Sequence, residues 1–463
     1  MSATAVSPAA SSTAAHPLLQ GAILPTLLRL AAPSVLAMAM QVLVGIAETV
    51  YVGRLGATPL AAMALVFPFL MLAQQLSAGA MGGGVSSAVS RALGAGDAPR
   101  AQALALHAVA IGGVLGLVFT AVLLLGGPTF YRWLGGRDAV LVAAVDYAAV
   151  LFLGAPLIWL SNTLASVLRG TGNMRIPSVG ILGASVLQIA LGGWLTLGGW
   201  PALGLAPMGM AGVALANIVA GAVSVAFFVW ALRSGQARLT LTWHGMVWRR
   251  EMFADILRVG ALSMVSPFQS VLSVLLLTGF VARLGALPLA GYAIGQRLEF
   301  LLIPISFGIG VAALPMVGMA IGARDVARAR RVAWTAGATS AVNLGLIGAT
   351  VALWPDLWAT LFTQDAAVLA HAREFLRTAG PAFAFFGLGL TLYFAAQGAG
   401  RMLGPVLAGT LRLAVVFGVG TALMHAGSGT TALFALVGGA MTVYGLATVV
   451  AVWFTPWGPP ARA

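Results

Sequence analysis

The chain has 463 residues, of which 60% are hydrophobic and only 8% charged, with a mean hydropathy of +0.99. So few charges could not cover a soluble protein of this length, and the composition places the chain in a lipid bilayer. A net charge of +13 would suggest nucleic acid in a soluble protein; here all 24 basic residues are Arg, they cluster between apolar runs, and Cys is absent, which removes disulfides, thiolate metal sites and Cys nucleophiles together.

Apolar runs of about twenty residues recur, each long enough to cross roughly 30 Å of hydrocarbon, with no strand alternation of the kind a barrel needs. The runs predict twelve helices. Residues 1–23 lack a basic stretch before an apolar one and are expected to be a disordered tail rather than a signal peptide.

The first helix, about 24–52, contains Pro33 and sets Gln41, Gly45 and Glu48 on one face at spacings of four and three. An acid in such a run belongs to a bundle interior. The second, about 59–83, carries Pro68, Gln74 and Gln75 and leads into GAMGGG and the turn Gly94-Ala95-Gly96-Asp97, where Asp97 can cap the helix that follows and Pro99 fits its first turn. The third (about 101–126), fourth (141–167, with Pro156 and Asn162), fifth (178–197, with Gln188) and sixth (208–232, with Asn217) complete a first lobe over 24–232.

A polar interval over 233–255, including His244, Arg249, Arg250 and Glu251, reads as a linker. The seventh helix, about 256–284, puts Ser266, Ser270 and Ser273 on one stripe beside Gln269. The eighth, about 287–317, holds Tyr292, Gln296 and Glu299 at spacings of four and three, with Arg297. Four more, at about 329–353, 366–396, 402–424 and 430–454, complete a second lobe over 256–456, before a tail over 457–463.

The second lobe repeats the first. GRLG at 53–56 pairs with ARLG at 282–285, Gly94 to Asp97 with Gly322 to Asp325, and Gly170-Thr171-Gly172 with Gly398-Ala399-Gly400; offsets of 229 and then 228 need one single-residue gap. Six helices is an even number, so both copies start on the same side and their symmetry axis runs along the membrane normal. Glu48 falls opposite Leu277, so the acid belongs to one copy only. The connections bearing Arg91, Arg100, Arg169, Arg175, Arg233, Arg238, Arg249, Arg250, Arg324, Arg328, Arg330, Arg331 and Arg401 alternate with poorer ones, which predicts a cytoplasmic Arg-rich side with both termini there.

LRLAAP, AETVYVGRLGATPLAA, SRALGAGD, LRGTGNMRIP and AIGQRLEFLLIPISFGIG resemble the multidrug and toxic compound extrusion (MATE) transporters, in particular the bacterial branch related to the DNA-damage-inducible efflux protein, from about residue 25 to 450. The resemblance implies a V-shaped pair of six-helix lobes in the bacterial inner membrane, and antiport of organic cations or drugs against H⁺ or, as the alternative, Na⁺. It implies that Glu48 matches the family's coupling acid, with Glu where Asp is commoner, and that Glu299 matches the Glu of the eighth-helix pattern. Acids that some relatives carry in the fifth, seventh and tenth helices have no counterpart here.

Glu48, with Gln41 beside it, is thus the expected coupling pair, since charging a carboxyl in hydrocarbon carries a desolvation cost that a proton carrier exploits. The bland alternative is a protonated Glu48 hydrogen-bonded to Gln41 or to a backbone carbonyl and merely holding its lobe together. Glu299, Gln296, Gln74, Gln188, Gln269, Tyr292 and Tyr393 are candidate cavity residues, each with a structural alternative in helix joining or packing. His107, His244, His371 and His425 show no ligand spacing, and GAGD and GTGN lack the Lys of a phosphate loop, so neither a metal, an organic cofactor nor ATP is expected. The isolated acids argue against an enzyme. A lipid-linked precursor flippase, the competing function, would need several Arg toward the cavity, whereas Arg297 and Arg412 are the only Arg read as placed for it within a span. The expected partners are small organic cations and the bilayer, with no nucleic acid, in a monomer.

Overall fold

A chain segment in hydrocarbon must satisfy its backbone within itself, and every regular element among the described residues is helical. The computed structural model describes residues 17–198, 206–236, 239–241 and 247–458. After a short α1 (Pro17–Gln20), the first lobe comprises α2 (Ile23–Gly53), α3 (Ala57–Gln74), α4 (Gly82–Gly94), α5 (Ala98–Trp133), α6 (Asp138–Leu153), α7 (Ala155–Gly170), α8 (Arg175–Gly193) and α9 (Met210–Arg233). A π-helical turn, Gln75–Met81, joins α3 to α4 in one span. The second lobe comprises α10 (Arg250–Ser263), α11 (Val265–Ala282), α12 (Ala286–Gly322), α13 (Val326–Leu353), the short α14 (Asp356–Ala359), α15 (Ala366–Ala379), α16 (Phe383–Gly398), α17 (Leu403–His425) and α18 (Thr430–Phe454).

Eleven spans are long and apolar enough to cross a membrane, and α6 with α7, bent by 43°, makes the twelfth. Gly154 separates the two, and Pro156 follows in the first turn of α7, where its missing N–H breaks the helical ladder. The twelve expected helices are all present.

Three expectations at the edges change. Residues 17–20, assigned to a disordered tail, form α1, and Leu18 is buried; the Arg328 guanidinium fixes it by donating to Leu18 O at 2.9 Å and to Gly21 O at 2.7 Å. Residues 250–255, assigned to the linker, are the first turns of α10, whose apolar face buries Met252 and Ile256. In the tail after α18, Trp457 is buried in the second lobe. Arg238 and His244 lie outside the described residues.

The duplication governs how the lobes meet. Asp97 and Asp325 each cap the following helix, accepting from Arg100 N at 2.9 Å and from Arg328 N at 2.8 Å. The residue before each cap, Gly96 and Arg324 respectively, takes the left-handed conformation, at φ 76° and 62°; in the second copy a bulky residue carries that cost. Leu27 on α2 is buried among residues of the second lobe and its equivalent, Ile256 on α10, among residues of the first. Each lobe therefore holds the lower half of the other's opening helix.

At the Arg-rich end the reciprocity reaches the backbone. A Cβ on Gly94 would overlap the backbone of Met319, and one on Gly322 that of Arg91, residues related by the same offset of 228. Around this contact Arg91 pairs with Asp255 at 2.6 Å and Arg100 reaches the same carboxylate at 3.1 Å. Gln397 of α16, fully buried, donates through Nε2 to Gly79 O at 3.2 Å, Ala80 O at 3.0 Å and Ser263 Oγ at 3.0 Å, so it occupies carbonyls of the π-helical turn. Ser87 Oγ in return donates to Gln397 O at 2.5 Å.

Gly94→Leu or Gly322→Leu drives a side chain into an opposing main chain and is expected to cost about 1–3 kcal/mol, seen as a lowered thermal unfolding midpoint in detergent. Gly279→Leu, at a site with open space around it, should leave the midpoint in place.

Candidate functional site

Glu48 lies one turn before the end of α2, on the face that carries Val44 and Val52 inward. Its side chain is buried. Gln188 of α8 donates from Nε2 to Glu48 Oε1 at 2.7 Å, and Tyr147 of α6, also buried, lies within electrostatic reach of the carboxyl. Near by, Tyr51 donates to Ile189 O at 3.2 Å, tying α2 to α8 a second time. Gln41, the expected companion, is exposed. Glu48 takes its hydrogen bond from another helix of the same lobe instead.

Gln74 is likewise engaged within the first lobe. Asn162 of α7 donates to Gln74 Oε1 at 3.0 Å and to Ser77 Oγ at 2.8 Å, joining the fourth span to the π-helical turn of the second. Because that turn widens the helix, its carbonyls and hydroxyls turn outward to partners that a regular helix would not offer.

In the second lobe Tyr292 is enclosed by the rings of Phe375 and Phe434, with centroids at 5.4 and 6.4 Å, which puts it in the packed core. Gln296 Nε2 donates to its hydroxyl at 3.3 Å. Glu299, one turn on, interacts electrostatically with Arg412 of α17, while Arg297, its near neighbour in sequence, lies over the Phe362 ring at 5.2 Å. Gln269 donates to Thr410 Oγ1 at 2.7 Å and to Val406 O at 3.3 Å, joining α11 to α17. Tyr393 is buried at the junction of the lobes, where its hydroxyl donates to Ser263 O at 3.3 Å.

The structure thus brings Gln188 to Glu48, Gln296 to Tyr292, and Tyr292 within electrostatic reach of Glu299, but holds the two acids in different lobes. Tyr147, Gln397 and the Arg412 side of Glu299 carry no pattern in the sequence beyond being polar in an apolar run. Arg412 was open to detection as a charge inside a span; its partner was not. Among the described residues no group of three or more His, Asp or Glu converges on one point. A larger hollow of about 480 Å³ at the opposite rim, beside Arg137 and Asp138, is separate from both acids.

Gln188→Leu removes the donor on a buried carboxyl and should cost about 1–3 kcal/mol. Gln41→Leu should leave stability unchanged. Unfolding midpoints of the two purified variants separate these outcomes.

The family profile MatE matches the chain twice, over residues 33–194 and 263–424, once in each copy of the duplication. The multidrug export protein MepA of Staphylococcus saprophyticus is 24% identical over 395 residues, covering 83% of this chain and 84% of that protein. An FAD transporter of Shewanella oneidensis is 23% identical over 366 residues, covering 76% and 77%. Among solved structures, an outward-facing multidrug resistance MATE transporter of the MOP superfamily superposes with a TM-score of 0.83 at 26% identity, over 96% of this chain and 97% of that one.

Proposed function

The chain belongs to the MatE family, and from that premise we propose that it is a secondary antiporter that exports organic cations or drugs in exchange for H⁺ by alternating access. The observation that carries the proposal is Glu48: a buried carboxyl with one neutral amide donor, present in one lobe and replaced by Leu277 in the other. Scaffold geometry requires no acid at that point, since the duplicate copy is built without one. An acid held inside a span is costly, and acids kept there mark functional sites by default.

A carboxylate attracts a cation and a carboxylic acid does not, so loading a proton at Glu48 removes the charge that held the cargo. Differential affinity of this kind is what biases one state of the carrier over another. We take H⁺ rather than Na⁺ as the coupling ion because, among the described residues, no cluster of acids gathers at Glu48 to build an oxygen shell. The relatives' names span a multidrug exporter and an FAD transporter, so the choice of organic cations rests on the acid.

We take the Arg-rich end as cytoplasmic, by the positive-inside rule. The tight seam of Gly94, Gly322 and Gln397 then closes the cytoplasmic end, and the molecule faces outward. The likeness to an outward-facing relative supports the same reading.

In proteoliposomes, an imposed pH gradient should drive efflux of a cationic dye by the wild type, while a sodium gradient alone should not. Glu48→Gln should fold normally and lose at least tenfold of the pH-driven rate. Undiminished exchange in that variant would remove Glu48 from the mechanism.

A further inference from the structure

Arg412 sits near the middle of α17, where a guanidinium is as costly as an acid, and the antiport cycle above makes no use of it. It is held over the ring of Tyr444 of α18, with its carbon 5.8 Å from the centroid, but its buried Nε–H has no acceptor. Facing it, α11 presents Ser266, Gln269, Ser270 and Ser273 around a cavity of about 20 Å³. Ser270 is exposed, while Gln269 and Ser273 are buried. A space of this size takes one water-sized group, the dimension of a single carboxylate oxygen.

The donors at this cavity outnumber the uses the protein makes of them. Ser266 Oγ is buried beside the Tyr393 hydroxyl, within hydrogen-bond reach of it; a hydroxyl that rotates away from Tyr393 meets the Arg412 Nε–H across the cavity. Gln269 Oε1 is an unfilled acceptor at the same wall, but an amide oxygen carries only a partial charge and Arg412 a full one. The amide nitrogen of Gln269 is already committed to Thr410 and Val406. Glu299 offsets Arg412 electrostatically from α12, yet no ion pair joins them among the described residues. The Arg412 Nε–H therefore remains open to a charge-assisted hydrogen bond from outside.

We propose that the cavity between α11, α17 and α18 binds an anionic oxygen through Arg412 and Ser266, and that this oxygen is the carboxylate of a zwitterionic cargo whose body lies out past Ser270. The inference rests on the reading of the chain as an exporter and narrows its cargo. One lobe then carries the site for positive charge, at Glu48, and the other the site for negative charge. A purely cationic cargo makes no use of Arg412. A small inorganic anion offers the same chemistry from another source.

The test uses a rhodamine dye in two forms, the methyl ester, a cation, and the free acid, a zwitterion, with the full-length protein in proteoliposomes. The wild type should export both. Arg412→Gln should lower kcat/KM for the free acid at least tenfold and leave the ester unaffected, Ser266→Ala should lower it severalfold, and Arg412→Lys should recover part of the loss. An equal fall for both dyes, or free-acid export that Arg412→Gln leaves intact, overturns the proposal. So does a dependence of both dyes on chloride that Arg412→Gln abolishes, which would assign the cavity to the inorganic ion. Equilibrium binding of the free acid to the purified protein, by fluorescence polarisation, decides the matter separately from transport: tighter binding to wild type than to Arg412→Gln is expected, and equal binding overturns it. Failure to move the ester under a pH gradient would count against the antiport reading alone.

Discussion

Hydrocarbon offers no hydrogen-bond partner, so a polar side chain in a span gains from a partner on another helix, and the helix it finds decides which elements are tied together. Glu48 with Gln188, and Gln74 with Asn162, close inside the first lobe. Gln269 with Thr410, and Ser306 with Ser340 at 3.0 Å, close inside the second. Bonds that cross between lobes gather instead around Gln397, Ser87 and the Asp255 carboxylate, toward the Arg-rich end. The result is two bodies stiff within themselves and fastened to each other along one seam.

Duplication supplies that scaffold, and single substitutions supply the chemistry. The capping aspartates, the left-handed turns and the glycine contacts come in pairs because both copies need them to fold. Charges inside the membrane do not. Glu48 stands opposite Leu277, and Arg412 opposite Ala184. Each is an addition to a frame that the sister lobe completes without it.

Much of the frame was legible from residue order. Spans follow from runs of apolar residues, and the repeat from paired turns, because both are local patterns that survive without knowledge of packing. Even the bend of the fourth span lies beside Pro156, as the loss of one backbone N–H requires. Gln188 shows the limit. The sequence marks it as polar, but only the packing of α2 on α8 makes it the partner of Glu48 in place of Gln41, which shares a helix with the acid and points elsewhere. Gln397 gives no sign of its role, since the carbonyls it fills belong to a helix more than three hundred residues away and are free only because that helix widens. Asp255 was read as linker because polar residues surround it, although its own turn buries Met252 and Ile256.

The exchange of opening helices has a mechanical consequence. The lower half of α2 is packed into the second lobe at Leu27 and Ala31, while its upper half is packed on α8 of the first. The seventh span is shared in the mirror sense, with α10 on the first lobe and α11 within the second. In the alternating-access cycle proposed above, two such members, each anchored at its ends to different lobes, would act as leaf springs. A rotation of the lobes would be taken up along their length, where Pro33 lies inside one and the junction at Met264 divides the other. Glu48 is carried on the far end of the first spring, so the curvature of that helix and the position of its carboxyl are one coordinate.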